Sequence, residues 1–250
     1  LAFFIPVLVT FLFQPGKKHY YKSVTAIILS FFVVAVIASY SRAAWVSLVG
    51  AAFLFLILHF RIKFQHLAFF GAVVLVFLGL SWNQIMIQLE QNRQDSSVEN
   101  ISDHVQSISN ISNDASNLER LNRWSAAFRM FADKPFFGFG PGTYMFQYAP
   151  YQMSYEKTII STNAGDMGNA HSEYFGPLSE QGILGMLTFI AMAITIIWTG
   201  IKLFYRLQDS QLRLFVLGAV LGLFTYLLHA LLNNFLDTDK ASAPFWGMTA

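Results

Sequence analysis

Residues 23–60 read SVTAIILSFFVVAVIASYSRAAWVSLVGAAFLFLILHF, and this stretch decides the fold class of the chain. It contains two apolar runs, residues 23–39 and 43–60, on either side of a short polar break that includes Ser41 and Arg42. A helix needs about 20 mainly apolar residues to cross a bilayer, with a lower limit of about 17. Each run is near that limit, so the sequence predicts two membrane-spanning helices joined by a tight turn.

Three further apolar runs of similar length follow, at residues 67–82, 183–201 and 212–232. Of the 250 residues, 55% are hydrophobic and 12% are charged, whereas soluble domains carry about 25% charged residues. We therefore expect an all-α fold, a polytopic transmembrane helical bundle. Shorter apolar runs occupy both chain ends, and the first residue is Leu1 rather than Met. These features lead us to expect an internal fragment of a longer protein.

The orientation of the predicted spans follows from the basic residues in their short connections, since Lys and Arg concentrate in cytoplasmic loops. Alternate loops carry eight basic residues against one acid, Asp209. The connections on the opposite side carry only Arg42 and Lys240. The first set of loops is therefore predicted to be cytoplasmic. Those eight residues are Lys17, Lys18, Lys22, Arg61, Lys63, Lys202, Arg206 and Arg213.

A long segment without an apolar span, residues 83–182, separates the transmembrane residues 1–82 from the transmembrane residues 183–250. The orientation puts it on the non-cytoplasmic side, and long loops translocate largely regardless of their charge. Loops of this length inside compact proteins are usually functional. We therefore expect a mainly helical external loop that carries the function. The absence of cysteine excludes disulfides and thiolate metal sites, and the net charge of +2 gives no support for nucleic-acid binding.

Within this segment, residues 118–132 read as a helix that begins after an N-cap at Asn117 and ends before Pro135. The preceding residues 95–117 fit either a weak helix or a flexible linker. Helical spacing predicts one apolar stripe formed by Leu121, Trp124, Ala127, Phe128 and Phe131.

Arg120 falls in the middle of this stripe and Arg123 at its edge, while Arg129 points the opposite way. A guanidinium among aromatic side chains needs an anion to offset its desolvation. Arg120 therefore fits either an anion-binding role or a structural one, in which it snorkels or pairs with a carboxylate such as Glu119 or Glu173.

Two more features lie downstream. Residues 138–142 read GFGPG, which predicts a tight turn rather than a phosphate-binding loop, because no Gly-Lys-Ser/Thr follows. Aromatic residues then crowd a short stretch and suit either a membrane-interface belt, the default interpretation, or stacking on sugar rings. They are Tyr144, Phe146, Tyr148, Tyr151 and Tyr155.

His171 and Ser172 open the segment that leads into the span at residues 183–201. On a helix, His171 would share a face with Phe175 and Leu178, where a lone histidine is usually structural. Composition and spacing alone assign it no chemistry.

Three groups of residues resemble the motifs of the O-antigen ligase family. The first is His171-Ser172, then nine residues, then Gly182-Ile183-Leu184-Gly185, similar to His-[Asn/Ser/Gln]-x9-Gly-x-x-Gly. The second, at residues 119–142, reads ERLNRW and then DKPFFGFGPG, similar to an Arg-x-x-x-Trp run followed by Pro-x-x-Gly-x-Gly-x-Gly. The third is Ser41-Arg42, similar to a Ser-Arg motif at the external end of an earlier helix.

The resemblance extends over about residues 39–240 and implies a superfamily of metal-independent glycan transferases. It includes lipopolysaccharide O-antigen ligases, O-antigen and exopolysaccharide polymerases, and protein O-oligosaccharyltransferases. The implied donor is an undecaprenyl-diphosphate-linked glycan, and no cofactor or metal is implied. The implied acceptor is a glycolipid such as lipid A core or another glycan, met at the periplasmic face of a bacterial inner membrane.

The resemblance also implies roles for single residues. His171 would act on the acceptor hydroxyl, either as a general base or as its orienting partner, because an imidazole pKa near 6.5 suits proton transfer at neutral pH. Arg120 and Arg42 would bind the donor diphosphate, and Arg123 would assist. From position alone, Arg42 equally fits a helix anchor, and Arg123 fits an ion pair with a loop acid. Gly182 and Gly185 would allow close helix packing beneath the site.

Other interpretations stay open at this point. A transporter for the same lipid-linked glycan would also need basic residues facing a cavity, although the sequence lacks the self-similar halves typical of transporters. A scaffold with an external domain would need neither Arg120 nor His171. His229 and Asp237, near the external end of the span at residues 212–232, are second-choice site residues, with a helix-end role as the alternative.

Overall fold

The computed structural model describes residues 1–39, 41–63, 65–66, 69, 71–72, 79–81, 104–158, 160–162 and 168–250. For residue 42 and residues 104–117 it describes the backbone but not the side chains. Every regular element within these ranges is helical. This observation agrees with the predicted all-α fold class.

Loops join the described helices. Two short 3-10 turns, Ala149–Tyr151 and Ser154–Glu156, lie in the loop that follows the short helix Tyr144–Gln147. The α-helices are α1 (Phe4–Leu12), α2 (His19–Ala38), α3 (Arg42–Phe60), α4 (His104–Asp133), α5 (Tyr144–Gln147), α6 (Phe175–Arg206), α7 (Ser210–His229) and α8 (Asp239–Thr249).

Four of the described helices are long and apolar enough to cross a membrane, with mean hydropathy between 1.8 and 2.1. They are α2, α3 from Ala43 onward, α6 and α7. They agree with four predicted spans, three of them to within a few residues, while α6 begins at Phe175, well before the predicted start at Ile183. The span predicted at residues 67–82 lies mostly outside the described residues. α7 ends at His229, earlier than predicted. The carbonyl of Ala230, just after the helix, accepts a hydrogen bond from the N–H of Glu173 at 2.9 Å and not from a further helical turn.

Helix α7 forms the centre of the described bundle, and α1, α3 and α6 pack around it. Its middle turns, from Leu217 to Leu227, are almost entirely buried. Gly218 and Gly222 face α1 so closely that a Cβ at Gly218 would lie 2.2 Å from Thr10 Oγ1, and one at Gly222 would lie 2.7 Å from the Phe3 carbonyl. Small residues at this spacing let helix backbones approach closely within a membrane.

The loops rich in Lys and Arg meet at one end of the bundle. Gln211 Nε2 donates to the Pro15 carbonyl at 3.2 Å. Tyr205 donates its hydroxyl to the Leu58 carbonyl at 2.9 Å, and the Arg61 guanidinium lies 5.7 Å from the Tyr205 ring. This arrangement agrees with the predicted alternation of loops. We call this end of the bundle the basic-loop end, and the opposite end, where α3 and α6 begin and α7 finishes, the site end.

Helix α4 begins earlier than the sequence analysis predicts. It runs without interruption from His104 to Asp133, so Asn117 is an internal residue and not the N-cap. Residues 104–133 contain neither Gly nor Pro, and without such a breaker a helix propagates through weakly helical Ser and Asn positions. The predicted end before Pro135 is confirmed.

The face of α4 that is buried also differs from the predicted stripe. Glu119, Asn122 and Arg123 are at most 5% exposed, and Ala126, Ala127 and Met130 are fully buried. Of the predicted stripe, Trp124 and Phe128 pack on the ring of Phe175, with centroids 5.1 and 5.0 Å apart. Phe128 and Leu121 nevertheless stay largely exposed. The prediction fails because the loop after α4 supplies polar partners that make burial of the polar face favourable.

Candidate functional site

His171 occupies a tight turn immediately before α6 and is not part of a helix. Its backbone is left-handed, with φ at 48°, and its N–H donates to Asn169 Oδ1 at 3.0 Å. The expectation that it shares a helical face with Phe175 and Leu178 is therefore wrong, because α6 begins only at Phe175. Histidine is among the non-glycine residues that tolerate this conformation.

Ser172, the second residue of the His-Ser pair, is a helix-capping residue. Its Oγ accepts hydrogen bonds from the N–H groups of Tyr174 at 3.2 Å and Phe175 at 3.4 Å. The first N–H groups of a helix have no partner within the helix, and a serine hydroxyl commonly satisfies them. Ser172 thus fixes the direction in which the chain leaves the His171 turn.

The Ser-Arg motif uses the same device at the start of α3. Ser41 is the N-cap, and its Oγ accepts from the Ala44 N–H at 3.4 Å. Arg42 is the first residue of the helix. Both motifs therefore consist of a serine that caps a membrane helix and, beside it, the residue predicted to act on substrate.

The part of α4 that carries Arg120 and Arg123 lies against the segment that follows His171, since Trp124 packs on the ring of Phe175 with centroids 5.1 Å apart. Burial, together with the charges of Arg123 and Arg120, lowers the pKa of His171 to about 4, while the charge of Glu119 opposes this shift. Burial also lowers the pKa of Arg120, but a guanidinium stays protonated at physiological pH. At neutral pH the site therefore combines a neutral imidazole with two guanidinium cations.

Arg123 is held in a buried ion pair. Its Nε donates to Glu119 Oε1 at 2.8 Å, and the side chains are 6% and 5% exposed. Its guanidinium also lies 4.7 Å from the centre of the Tyr148 ring. The alternative of an ion pair for Arg123 is thus the observed one, although the acid is four residues earlier on the same helix and not on a loop.

The two carboxylates considered as partners for Arg120 are both engaged by other groups. Glu119 also accepts from Thr158 Oγ1 at 3.0 Å and from Ser161 Oγ. Glu173 accepts from the Tyr226 hydroxyl and from the Leu236 N–H, both at 2.7 Å.

A buried polar network attaches the loop after α5 to α4. Asn122 Nδ2 donates to Gln152 Oε1 at 2.9 Å and to Ser161 Oγ at 3.2 Å. Gln152 Nε2 in turn donates to the Thr162 carbonyl at 2.8 Å. The sequence analysis did not identify these residues, since they lie up to 40 positions apart and no periodic pattern connects them.

The crowded aromatic residues serve different purposes. Tyr144 and Tyr148 are buried and stack with ring centroids 5.2 Å apart, and the Tyr144 hydroxyl donates to the Arg123 carbonyl at 2.8 Å. These two tyrosines are part of the core next to Arg123, so they form neither a membrane-interface belt nor a surface for stacking on sugar rings. Phe146 and Tyr155 are exposed.

The glycine-rich stretch at residues 138–142 forms a tight turn, as predicted, and docks on a break in α6. Gly182 interrupts the helix with φ at 68°, and the freed groups find partners in the turn. Gly140 N–H donates to the Glu180 carbonyl at 2.7 Å, and Ile183 N–H donates to the Pro135 carbonyl at 2.8 Å. A Cβ on Gly182 would lie 2.4 Å from the Phe136 backbone, so the close approach at this glycine is to the loop after α4. A Cβ on Gly185 would meet Gln181 and Pro177 of its own helix, so the expectation that the two glycines allow close packing between helices is wrong.

A cavity of about 230 Å³ lies at the site end, between the beginnings of α1 and α3 and the end of α7. Ser41, His229 and Lys240 line it. Arg120 lies within electrostatic reach of His229, as it does of His171. Asp237 accepts a hydrogen bond from Asn234 at 2.8 Å in an exposed turn.

These observations define a class of protein, a polytopic helical membrane protein with a cationic, histidine-containing site where its spans meet a long loop. A family model described as O-antigen ligase matches residues 25–190, more than half of the chain. The chain therefore belongs to the O-antigen ligase family. Members are glycosyltransferase-like membrane enzymes of the ligase and polymerase type, which act on a lipid-linked glycan and an acceptor. Searches of curated proteins and of solved structures gave no match.

Proposed function

We propose that the chain transfers a glycan from undecaprenyl diphosphate to a lipid A core acceptor, at the periplasmic face of a bacterial inner membrane. The observation that carries the proposal is the packing of α4 against the segment after His171, with Trp124 on Phe175 at 5.1 Å, which puts the charges of Arg123 and Arg120 within reach of the imidazole. A base beside fixed cations is what transfer from a diphosphate donor requires.

The arginines supply the electrostatic part of the mechanism. Arg120 and Arg42 bind the donor diphosphate, since guanidinium groups donate paired hydrogen bonds to phosphate oxygens and keep their charge. Arg123 assists diphosphate binding through its positive charge and not through its Nε, because that nitrogen donates to Glu119. These cations stabilise the negative charge that develops on the diphosphate as it leaves, so the proposed transfer is metal-independent.

His171 supplies the proton transfer. It takes the proton of the acceptor hydroxyl while that oxygen forms a bond to the anomeric carbon of the glycan. The bond from this carbon to the donor diphosphate breaks, and undecaprenyl diphosphate leaves with the electron pair. The imidazolium then releases its proton to water, which restores the base.

Donor binding prepares the base. Burial lowers the pKa of His171 in the free protein, and two of the arginines assigned to the diphosphate, Arg123 and Arg120, lower it as well. A bound diphosphate neutralises their field, and the basicity of the imidazole rises. His171 is thus an efficient base only when a donor occupies the site. The free protein would then not activate an acceptor hydroxyl before a donor is bound.

The experiment that tests the function compares paired substitutions in cells that lack the chromosomal gene. His171→Ala and Arg120→Ala are each expected to lower transfer at least about 100-fold, the usual loss for a base or for an oxyanion-stabilising donor. The matched controls are His19→Ala and Arg206→Ala, the same changes at the basic-loop end, where both residues are exposed.

The measurements are the lipopolysaccharide pattern on a gel, the level of undecaprenyl-linked glycan, and the amount of protein in the membrane. Loss of long-chain lipopolysaccharide with accumulation of the lipid-linked glycan, at normal protein level, supports the ligase. Loss of glycan polymers with intact transfer of single repeats indicates a polymerase, and glycan missing from proteins indicates a protein O-oligosaccharyltransferase. Normal transfer by both variants contradicts the proposed site and favours a transporter.

A further inference from the structure

Glu173 is a buried carboxylate two residues after His171, and the proposed mechanism does not use it. The residue is 7% exposed. One of its side-chain oxygens, Oε1, accepts two hydrogen bonds, from the Tyr226 hydroxyl and the Leu236 N–H, each at 2.7 Å. Its own N–H donates to the Ala230 carbonyl at 2.9 Å. A buried carboxylate with such well-formed bonds needs an explanation.

These three bonds connect two parts of the site end. Tyr226 belongs to the last turn of α7, and Ala230 and Leu236 belong to the loop that follows it. Glu173 precedes α6 and lies between the capping residue Ser172 and the first helical turn. A single residue therefore ties the start of α6 to the end of α7.

The His171 turn depends on such a support. Its left-handed backbone is a conformation that non-glycine residues adopt at an energetic cost, so surrounding contacts must hold it. On the N-terminal side, the N–H of His171 is bonded to Asn169. On the C-terminal side, the side chains of Ser172 and Glu173 accept the next hydrogen bonds that hold the chain in place.

We propose that Glu173 is a positioning residue that holds the His171 turn against the end of α7, so that the imidazole faces Arg120. This inference rests on the proposed function. It assigns Glu173 no contact with the donor or the acceptor. The required property is the acceptor oxygen Oε1 at its observed position, and a negative charge is not required. Burial raises the pKa of the Glu173 carboxyl, which agrees with a role for the oxygen and not for the charge.

Two substitutions at Glu173 separate these properties. Glu173→Gln keeps an oxygen that accepts from Tyr226 and Leu236, whereas Glu173→Ala leaves both donors without their partner. We expect Glu173→Ala to lower the transfer rate at saturating donor at least about tenfold, because small displacements of a catalytic group reduce rates strongly. We expect the KM for undecaprenyl-linked glycan to stay within about twofold, since diphosphate binding is left to the arginines. Glu173→Gln should recover the rate to within about threefold of the unmodified protein.

A second pair of variants controls for the loss of a helix-to-helix hydrogen bond in general. Tyr226→Phe removes a bond to Glu173, and Tyr205→Phe removes a bond of similar length, 2.9 Å, at the basic-loop end. Rates are measured per molecule of folded protein in membranes, with the amount of folded protein determined separately. Tyr226→Phe should lower the rate per molecule and Tyr205→Phe should not.

The outcomes of this experiment are distinct from those for the function itself. If Glu173→Ala keeps the normal rate per molecule, or if Glu173→Gln is as slow as Glu173→Ala, Glu173 is not a positioning residue. If Tyr205→Phe lowers the rate as much as Tyr226→Phe, the effect is general loss of packing and the inference is wrong. If the unmodified protein transfers no glycan, the proposed function fails instead.

Discussion

His171, Arg120 and Arg123 are the residues on which the proposed chemistry depends, and the placement of the two arginines follows from helix geometry. Arg123 lies four residues after Glu119 on α4, a spacing at which helical side chains meet. Their ion pair is almost completely buried. Glu119 thereby holds one of the two guanidinium groups in place, while its charge partly opposes their effect on the imidazole.

The pH dependence of transfer should reveal this electrostatic arrangement. The neutral imidazole is the active form, so activity falls as the pH drops through the pKa of His171. For kcat/KM, which reports the free enzyme, we expect the fall near pH 4, because burial and both arginines lower the pKa to about 4. For kcat, which reports the enzyme with bound donor, the fall should lie at higher pH, since the diphosphate neutralises the arginines.

Initial rates at several donor concentrations between about pH 4 and 8 give both profiles, and an ordinary histidine would titrate at about 6.5. Arg120→Gln removes a nearby positive charge, so its kcat/KM profile should move to higher pH. A single midpoint near 6.5 for both parameters, unchanged in Arg120→Gln, would show that the arginines do not act on His171.

At the level of helices and turns, the two glycine motifs, residues 138–142 and Gly182, contact each other, and we call this contact the joint. The turn at residues 138–142 and the break at Gly182 are some 40 residues apart in sequence, yet their backbones exchange hydrogen bonds. Glu180 strengthens the joint, because its carboxylate accepts from the N–H groups of Gly142 and Tyr144, both at 2.9 Å. The joint fixes the end of α4, and with it Arg120 and Arg123, relative to α6 and the His171 turn.

Substitution of single glycines on α6 tests this joint. Gly182→Ala requires a left-handed alanine and puts a Cβ 2.4 Å from the Phe136 backbone. We expect it to destabilise the protein by at least about 1–3 kcal/mol and to lower transfer. Gly176→Ala is the matched control, because no atom lies within 4 Å of its Cβ and alanine favours helix by about 1 kcal/mol.

Thermal unfolding of the two variants in detergent, followed through loss of folded protein, provides the comparison. The unfolding temperature should fall for Gly182→Ala and stay equal or rise for Gly176→Ala. Equal stability of the two variants would mean that the turn is not docked as described.

The ends and spans of the helices were largely predictable, because they depend on local properties. Apolar runs located four membrane helices, and Pro135 marked the end of α4. The beginning of α4 and its buried face were not predictable in this way. The helix begins within weakly helical Ser and Asn positions, which carry no clear start signal. Its buried face depends on Gln152, Ser161 and Thr162, which approach from a loop that no helical pattern describes.

At the scale of the whole molecule, the orientation in the membrane remains a prediction from charge, and the chain offers a clean test because it contains no cysteine. Single cysteines can therefore be introduced without background. Tyr155→Cys, on the exposed part of the long loop, should react in intact cells with a maleimide that enters the periplasm but does not cross the inner membrane. Lys63→Cys, exposed in a basic loop, should react only after the inner membrane is permeabilised. The reverse pattern would contradict a periplasmic site.

The site as a whole could be assembled from the sequence only in part. The motif resemblance brought together His171, Arg120, Arg123 and Arg42, and in the structure the packing of Trp124 on Phe175 brings α4 close to the segment that follows His171. It also shows that Ser41 and Ser172 cap helices. The supporting contacts of Glu119 and Glu173 could not be predicted, because a hydrogen bond between residues 39 or 63 positions apart leaves no local signature.

The most direct test of the central claim is transfer in purified membranes that contain either the unmodified protein or His171→Ala. The donor is undecaprenyl-diphosphate-linked glycan, the acceptor is lipid A core, and a metal chelator is present. We predict that the unmodified protein joins glycan to acceptor and releases undecaprenyl diphosphate in equal amounts, while His171→Ala, at the same membrane level, does so at least about 100-fold more slowly. Equal transfer by both proteins, or no transfer by the unmodified protein, would contradict the account.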